Sequence, residues 1–74
     1  MLKNDIGINA GVIWQILSEQ EQLSLREIGE LTNYKDVMIF YALGWLAREH
    51  KIKFLIREDI TYVELVNSFN ERYY

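Results

Sequence analysis

The sequence predicts an α+β fold: three helices, then a two-stranded β-hairpin, with a possible short third strand and a short C-terminal helical tail. Three observations carry that expectation. Ser24-Leu25-Arg26-Glu27 is a capping box that fixes the start of a short second helix. The stretch Thr32-Asn33-Tyr34 breaks the chain before a longer third helix. After His50 the hydrophobic period changes from about 3.6 residues to about 2.

Composition bounds the class. The chain has 74 residues, no Cys, 50% hydrophobic and 14% aromatic residues. Residues 1–74 are read as a single domain, near the lower size limit for folding around a core of its own. With no Cys, disulfide and thiolate–metal staples are excluded. So much apolar content in so small an interior points to self-association, and a homodimer is the expected state. No apolar run approaches the roughly 18 residues that span a bilayer, and MLKNDIGINAG is not a signal peptide. The expectation is a soluble, cytoplasmic protein with no membrane partner.

The formal net charge is −3, which argues against a strongly electrostatic nucleic-acid binder. The distribution argues the same way. Arg26 is followed by Glu27, Lys35 by Asp36, Arg48 by Glu49, and Arg57 by Glu58 and Asp59.

The first helix is expected over residues 9–20, capped by Asn9, with Ala10, Ile13 and Leu17 recurring on one face. Trp14 and Ile16 flank that stripe. Gly11 sits in the first turns at a cost of about 1 kcal/mol relative to Ala. Leu23 to Leu25 can add the short strand. The capping box then opens a helix from Leu25 to Leu31, and Leu23 and Ile28 can form its hydrophobic staple. Asn33 suits the left-handed backbone of the tight turn that follows.

The third helix, Lys35 to His50, is apolar on nearly every side. Ile39, Ala42, Leu43 and Leu46 form one stripe that any core would claim. Met38, Tyr41 and Trp45 form a second on roughly the opposite side, ending at Arg48. A helix that is hydrophobic all round is normally buried all round, so in a chain this short one side must meet something other than its own core.

In the hairpin, a two-residue loop at Glu58-Asp59 sets Ile56 opposite Thr61, Phe54 opposite Val63 and Ile52 opposite Leu65, giving one apolar face. The other face pairs Lys53 with Glu64 and Leu55 with Tyr62. The loop is the weak point, because such turns prefer Gly or Asn, and a longer loop is the alternative. The tail, Asn67 to Tyr74, can start a helical turn at Asn67 or Ser68, with Phe69 and Tyr73 on one side. It is too short to be helical alone, so it must dock or fray.

Helix, capped helix, turn, helix and hairpin in this order make a winged helix-turn-helix. The stretch ALGWLAREHKIKF, Ala42 to Phe54, resembles a family of small bacterial winged-helix proteins of uncharacterised function. Its most specific part is Gly44 to Glu49. The sequence departs from that family's pattern at His50, where Gly would stop the helix, and at Lys35, where Ser, Thr or Asp would cap it. The resemblance implies a DNA-linked regulatory role, although a fold alone does not transfer function.

Catalysis has little support. There is one His, no Cys, no Gly-rich phosphate loop and no ligand pair at metal spacing. The expectation is a protein that is not an enzyme and needs no cofactor, metal or small-molecule ligand. Two binding readings remain. For weak contact with double-stranded DNA the candidates are Lys35, Arg48, Lys53 and Arg57, beside a helix face that offers mainly Met, Tyr and Trp. For a protein interface they are Met38, Tyr41, Trp45, Phe69 and Tyr73, residue types enriched at interface centres. Phe69 and Tyr73 can instead fold back over the second stripe within one chain.

Overall fold

The computed structural model describes residues 3–66. In order they form α1 (Lys3–Glu19), β1 (Leu23–Ser24), α2 (Leu25–Thr32), α3 (Asp36–Arg48), β2 (Ile52–Arg57) and β3 (Ile60–Leu65). The expected tail, with Phe69 and Tyr73, lies outside the described residues.

The capping box at α2 is present in both directions. The Glu27 amide donates to Ser24 Oγ at 3.1 Å, and the Ser24 amide donates to Glu27 Oε1 at 2.8 Å. Leu23 and Ile28, the staple pair, are both buried. Asn33 closes the helix in the left-handed region at φ 61°, its amide donating to the Gly29 carbonyl. Thr32 then bridges the turn: its hydroxyl donates to the Ile28 carbonyl at 2.7 Å and accepts from the Tyr34 amide at 3.1 Å.

α3 ends as a Schellman motif. The His50 amide donates to the Ala47 carbonyl at 3.0 Å and the Lys51 amide to the Leu46 carbonyl at 2.9 Å. His50 takes the left-handed position usually held by Gly, at φ 59°. At the other end, Lys35 occupies the cap position with no side-chain capping bond. The helix is therefore one residue shorter at its start and two shorter at its end than the expected span.

The hairpin register is the expected one, from Ile52 opposite Leu65 to Ile56 opposite Thr61, closed by a two-residue turn. Glu58 and Asp59 both lie at positive φ, 52° and 67°, so the tight turn forms without the residues that favour it. β1 pairs antiparallel with β3, Leu23 opposite Val63, giving the order β1-β3-β2.

The expected start of the first helix is corrected. α1 begins at Lys3, and Asn9 lies within the helix instead of capping it. The apolar stripe runs one turn further back, to half-buried Ile6, and Trp45 packs against this extension beside Gly7. Tertiary packing there offsets the low helix propensity of Gly7 and Gly11. The apolar face of the wing is also only partly covered. Ile52 and Val63 are buried, whereas Phe54 and Ile56 are 48% and 72% exposed.

The core joins Ala10, Ile13 and Leu17 of α1, Ile28 of α2, the Ile39–Ala42–Leu43–Leu46 stripe of α3, and Leu23, Ile52 and Val63 of the sheet. This packing fixes which side of α3 is left outward.

Candidate nucleic-acid interface

With one stripe of α3 committed to the core, the opposite side is set by helical geometry. Positions 37, 40, 41, 44 and 48 share it. Val37, Phe40 and Tyr41 are 53%, 57% and 54% exposed, and Gly44 and Arg48 are exposed beside them. In a helix-turn-helix this side of the second helix meets the major groove. Here it is an apolar ridge with a cation near each end.

The expected second stripe divides. Tyr41 faces outward, while Met38 and Trp45 are half-buried on the flank. Trp45 turns towards α1, where a Cβ at Gly7 would lie 3.9 Å from its Cζ2. The sequence reading passed over Val37 and Phe40. Their signal was available: they fall on the same side as Tyr41 once the Ile39 stripe is given to the core. Phe40 also lines a shallow groove at the corner of the motif with Leu25, Gly29, Asn33 and Tyr34.

The four candidate cations are not brought together. Lys35 and Arg48 are exposed at opposite ends of α3, 13 positions apart, which is about 20 Å along a helix. Neither has an ion pair among the described residues. Lys53 and Arg57 lie on the outer face of the sheet, engaged with other side chains. Lys53 Nζ pairs with Glu64 Oε2 at 3.2 Å. The Arg57 guanidinium donates to Gln22 Oε1 and lies 4.6 Å from the centre of the Tyr62 ring. Gln22 in turn donates from Nε2 to Glu64 Oε1 at 3.1 Å. The two wing cations thus belong to one network spanning β2, β3 and the approach to β1. Phosphate contact would have to compete with it.

His50 terminates a helix, and Glu58 and Asp59 make a turn. Among the described residues no cluster of three or more His, Asp or Glu is placed to hold a metal ion. Nor is any described helix long and apolar enough to cross a membrane.

The model of a family described as a winged helix-turn-helix domain, DUF2582, matches residues 1–65. The chain belongs to this family. A protein of Bacteroides thetaiotaomicron, BT2368, whose structure was solved by NMR in solution, is similar at 30% identity with a TM-score of 0.83. The match covers 95% of this chain and 85% of BT2368. The adhesin competence repressor AdcR of Streptococcus pyogenes is similar in fold, with a TM-score of 0.64 at 17% identity. That match covers 92% of this chain and 48% of AdcR, so the winged-helix domain corresponds to about half of the repressor. No curated protein sequence matches significantly. Within the winged-helix frame, α2 and α3 are the two helices of the motif and β2–β3 is the wing.

Proposed function

We propose that residues 1–74 form one regulatory winged-helix module, cytoplasmic and non-enzymatic, that acts as a homodimer in a DNA-linked process. The observation that carries this reading is the exposed apolar side of α3, set outward by the buried stripe opposite, with Lys35 and Arg48 at the helix ends. The dimer is built on the same molecule's apolar excess, with Tyr41 at the centre of its interface and Met38 at its edge, and this leaves DNA contact to the wing and the ends of α3. DNA contact is weak and comes through the backbone, since a net charge of −3 leaves little nonspecific attraction.

A titration of labelled random duplex at low salt, followed by anisotropy, tests the DNA part. The expected dissociation constant is about 10⁻⁴ M. Sub-micromolar binding with a steep salt slope would instead mean that Lys53 and Arg57 leave their network to meet phosphates.

A second reading is favoured by the composition of the ridge itself. Val37, Phe40 and Tyr41 are each more than half exposed, and base edges are read mainly by Arg, Lys, Asn and Gln. In this reading α3 presents an apolar face to a protein and has given up DNA. No binding to duplex of any sequence, together with association through Tyr41, is the outcome that selects it.

A further inference from the structure

β2 lies at one end of the sheet order β1-β3-β2, so one of its edges meets no strand among the described residues. The phase of its backbone follows from one bond. The Val66 amide donates to the Lys51 carbonyl at 2.9 Å. In the same register Lys53 lies opposite Glu64, Leu55 opposite Tyr62 and Arg57 opposite Ile60. Backbone bonds in an antiparallel pair recur at every second residue. Lys53, Leu55 and Arg57 are therefore bonded to β3, and Ile52, Phe54 and Ile56 turn their N–H and C=O groups to the open edge.

The side chains say what this edge would accept. Phe54 and Ile56 are 48% and 72% exposed on one face of β2. Lys53 and Arg57 are exposed on the other, with exposed Lys51 just before the strand and no acid between residues 51 and 57. Lys53 and Arg57 already hold Glu64 and Gln22, but ammonium and guanidinium groups carry further donors. An edge of this kind takes an extended chain by backbone pairing, and alternate side chains select the sequence. Charge decides against a second copy. Antiparallel self-pairing that joins at least two of the three open residues is centred on Lys53, Phe54 or Leu55. Those registers set Lys53 opposite Lys53, Lys51 opposite Arg57, and Lys53 opposite Arg57, respectively. Like charges directly opposite are destabilising, and cations on an edge strand discourage self-pairing in native sheets. A segment that carries acids turns the same cations into attraction.

We propose that the free edge of β2 docks an extended segment of a partner protein, about five residues long, in which acidic and apolar residues alternate. Its backbone pairs with Ile52, Phe54 and Ile56, its apolar side chains share the face of Phe54 and Ile56, and its carboxylates share the face of Lys53 and Arg57. The site is separate from the outward side of α3 and does not depend on what that side meets.

The probe is a labelled peptide of alternating glutamate and valine with blocked ends, titrated against the full chain and followed by anisotropy. The same peptide with lysine in place of glutamate should bind about tenfold more weakly. Amide chemical shifts recorded by NMR during the titration should move at Ile52, Phe54 and Ile56 far more than at Lys53, Leu55 and Arg57, which are already bonded to β3. Phe54→Pro removes an open N–H and none of the bonds to β3, so it should abolish binding with circular dichroism retained. No binding at about 1 mM peptide, equal affinity for the two peptides, or shifts without that alternation would overturn the proposal. So would open-edge amides that resist solvent exchange in the free chain. Protection that fades on dilution with a fall in mass assigns the edge to a second copy, and protection at constant monomer mass assigns it to another segment of this chain.

Discussion

His50 ends α3 at φ 59°, where most L-residues suffer contact between Cβ and the carbonyl oxygen. The surrounding Schellman bonds hold it there. Glycine would keep both bonds and relieve the contact, so His50→Gly should stabilise the fold by about 1 kcal/mol. The midpoint of a urea transition should rise at unchanged slope. Ser24 gives the opposite sign. Its hydroxyl satisfies the Glu27 amide, its own amide is satisfied by the Glu27 carboxylate, and the residue is buried. Ser24→Ala should cost about 1 kcal/mol. An unchanged midpoint would mean that water serves the amide equally well and that the box does not fix the helix start. Both positions stood out in the sequence because caps are local: three or four residues carry the whole interaction. Lys35 was legible for the same reason, and its cap position lacks a side-chain bond.

At the scale of elements, legibility follows the range of the interaction. The register of the wing was readable because period-2 patterning fixes which residues share a face, and a slip of one would turn Ile52 and Val63 outward. How far that face is covered was not readable. Phe54 and Ile56 are exposed although they share a face with buried Ile52 and Val63, a difference with no trace in the alternating pattern. The start of α1 was missed for a related reason. Gly7 and Gly11 weaken the local helical signal, while Trp45, distant in sequence, supplies the packing that supports the extension. The turn at Glu58-Asp59 is the element with most to gain. Both residues are left-handed, as a two-residue hairpin turn requires, and neither is suited to it. Replacing them together by Asn and Gly should stabilise the domain by about 1 kcal/mol, through lower strain at two positions. Amide exchange across β2 and β3 should slow in step with the global change if the wing unfolds with the core. Slower exchange confined to the wing, with an unchanged global transition, would show that the hairpin opens on its own.

For the whole molecule, the open matter is what meets the outward side of α3, and the packing decides which residue can test it. Trp45 looks from the sequence like the centre of an interface, but it is half-buried and lies against α1 at Gly7. A charge there would disturb the monomer as well as any complex. Tyr41 is 54% exposed on the same helix and takes no part in the core. Fully burying a large apolar side chain contributes about 1.5–3 kcal/mol, with an aromatic near the top of that range. A two-fold interface uses each residue twice. Tyr41→Glu should therefore weaken a homodimer on the order of a thousandfold in dissociation constant, while the monomer keeps its fold. Sedimentation equilibrium follows the mass and circular dichroism the helix content. Repeating the run with duplex DNA separates dimer from complex. If the parent is a dimer and the variant retains its mass at every concentration, α3 is not the interface. The remaining candidate is then the outer face of the wing, where half-buried Leu55 and Tyr62 adjoin exposed Ile60. Arg57 already lies over the Tyr62 ring there, so a partner at that face would have to displace it or pack against it, and Leu55→Glu becomes the variant that lowers the mass.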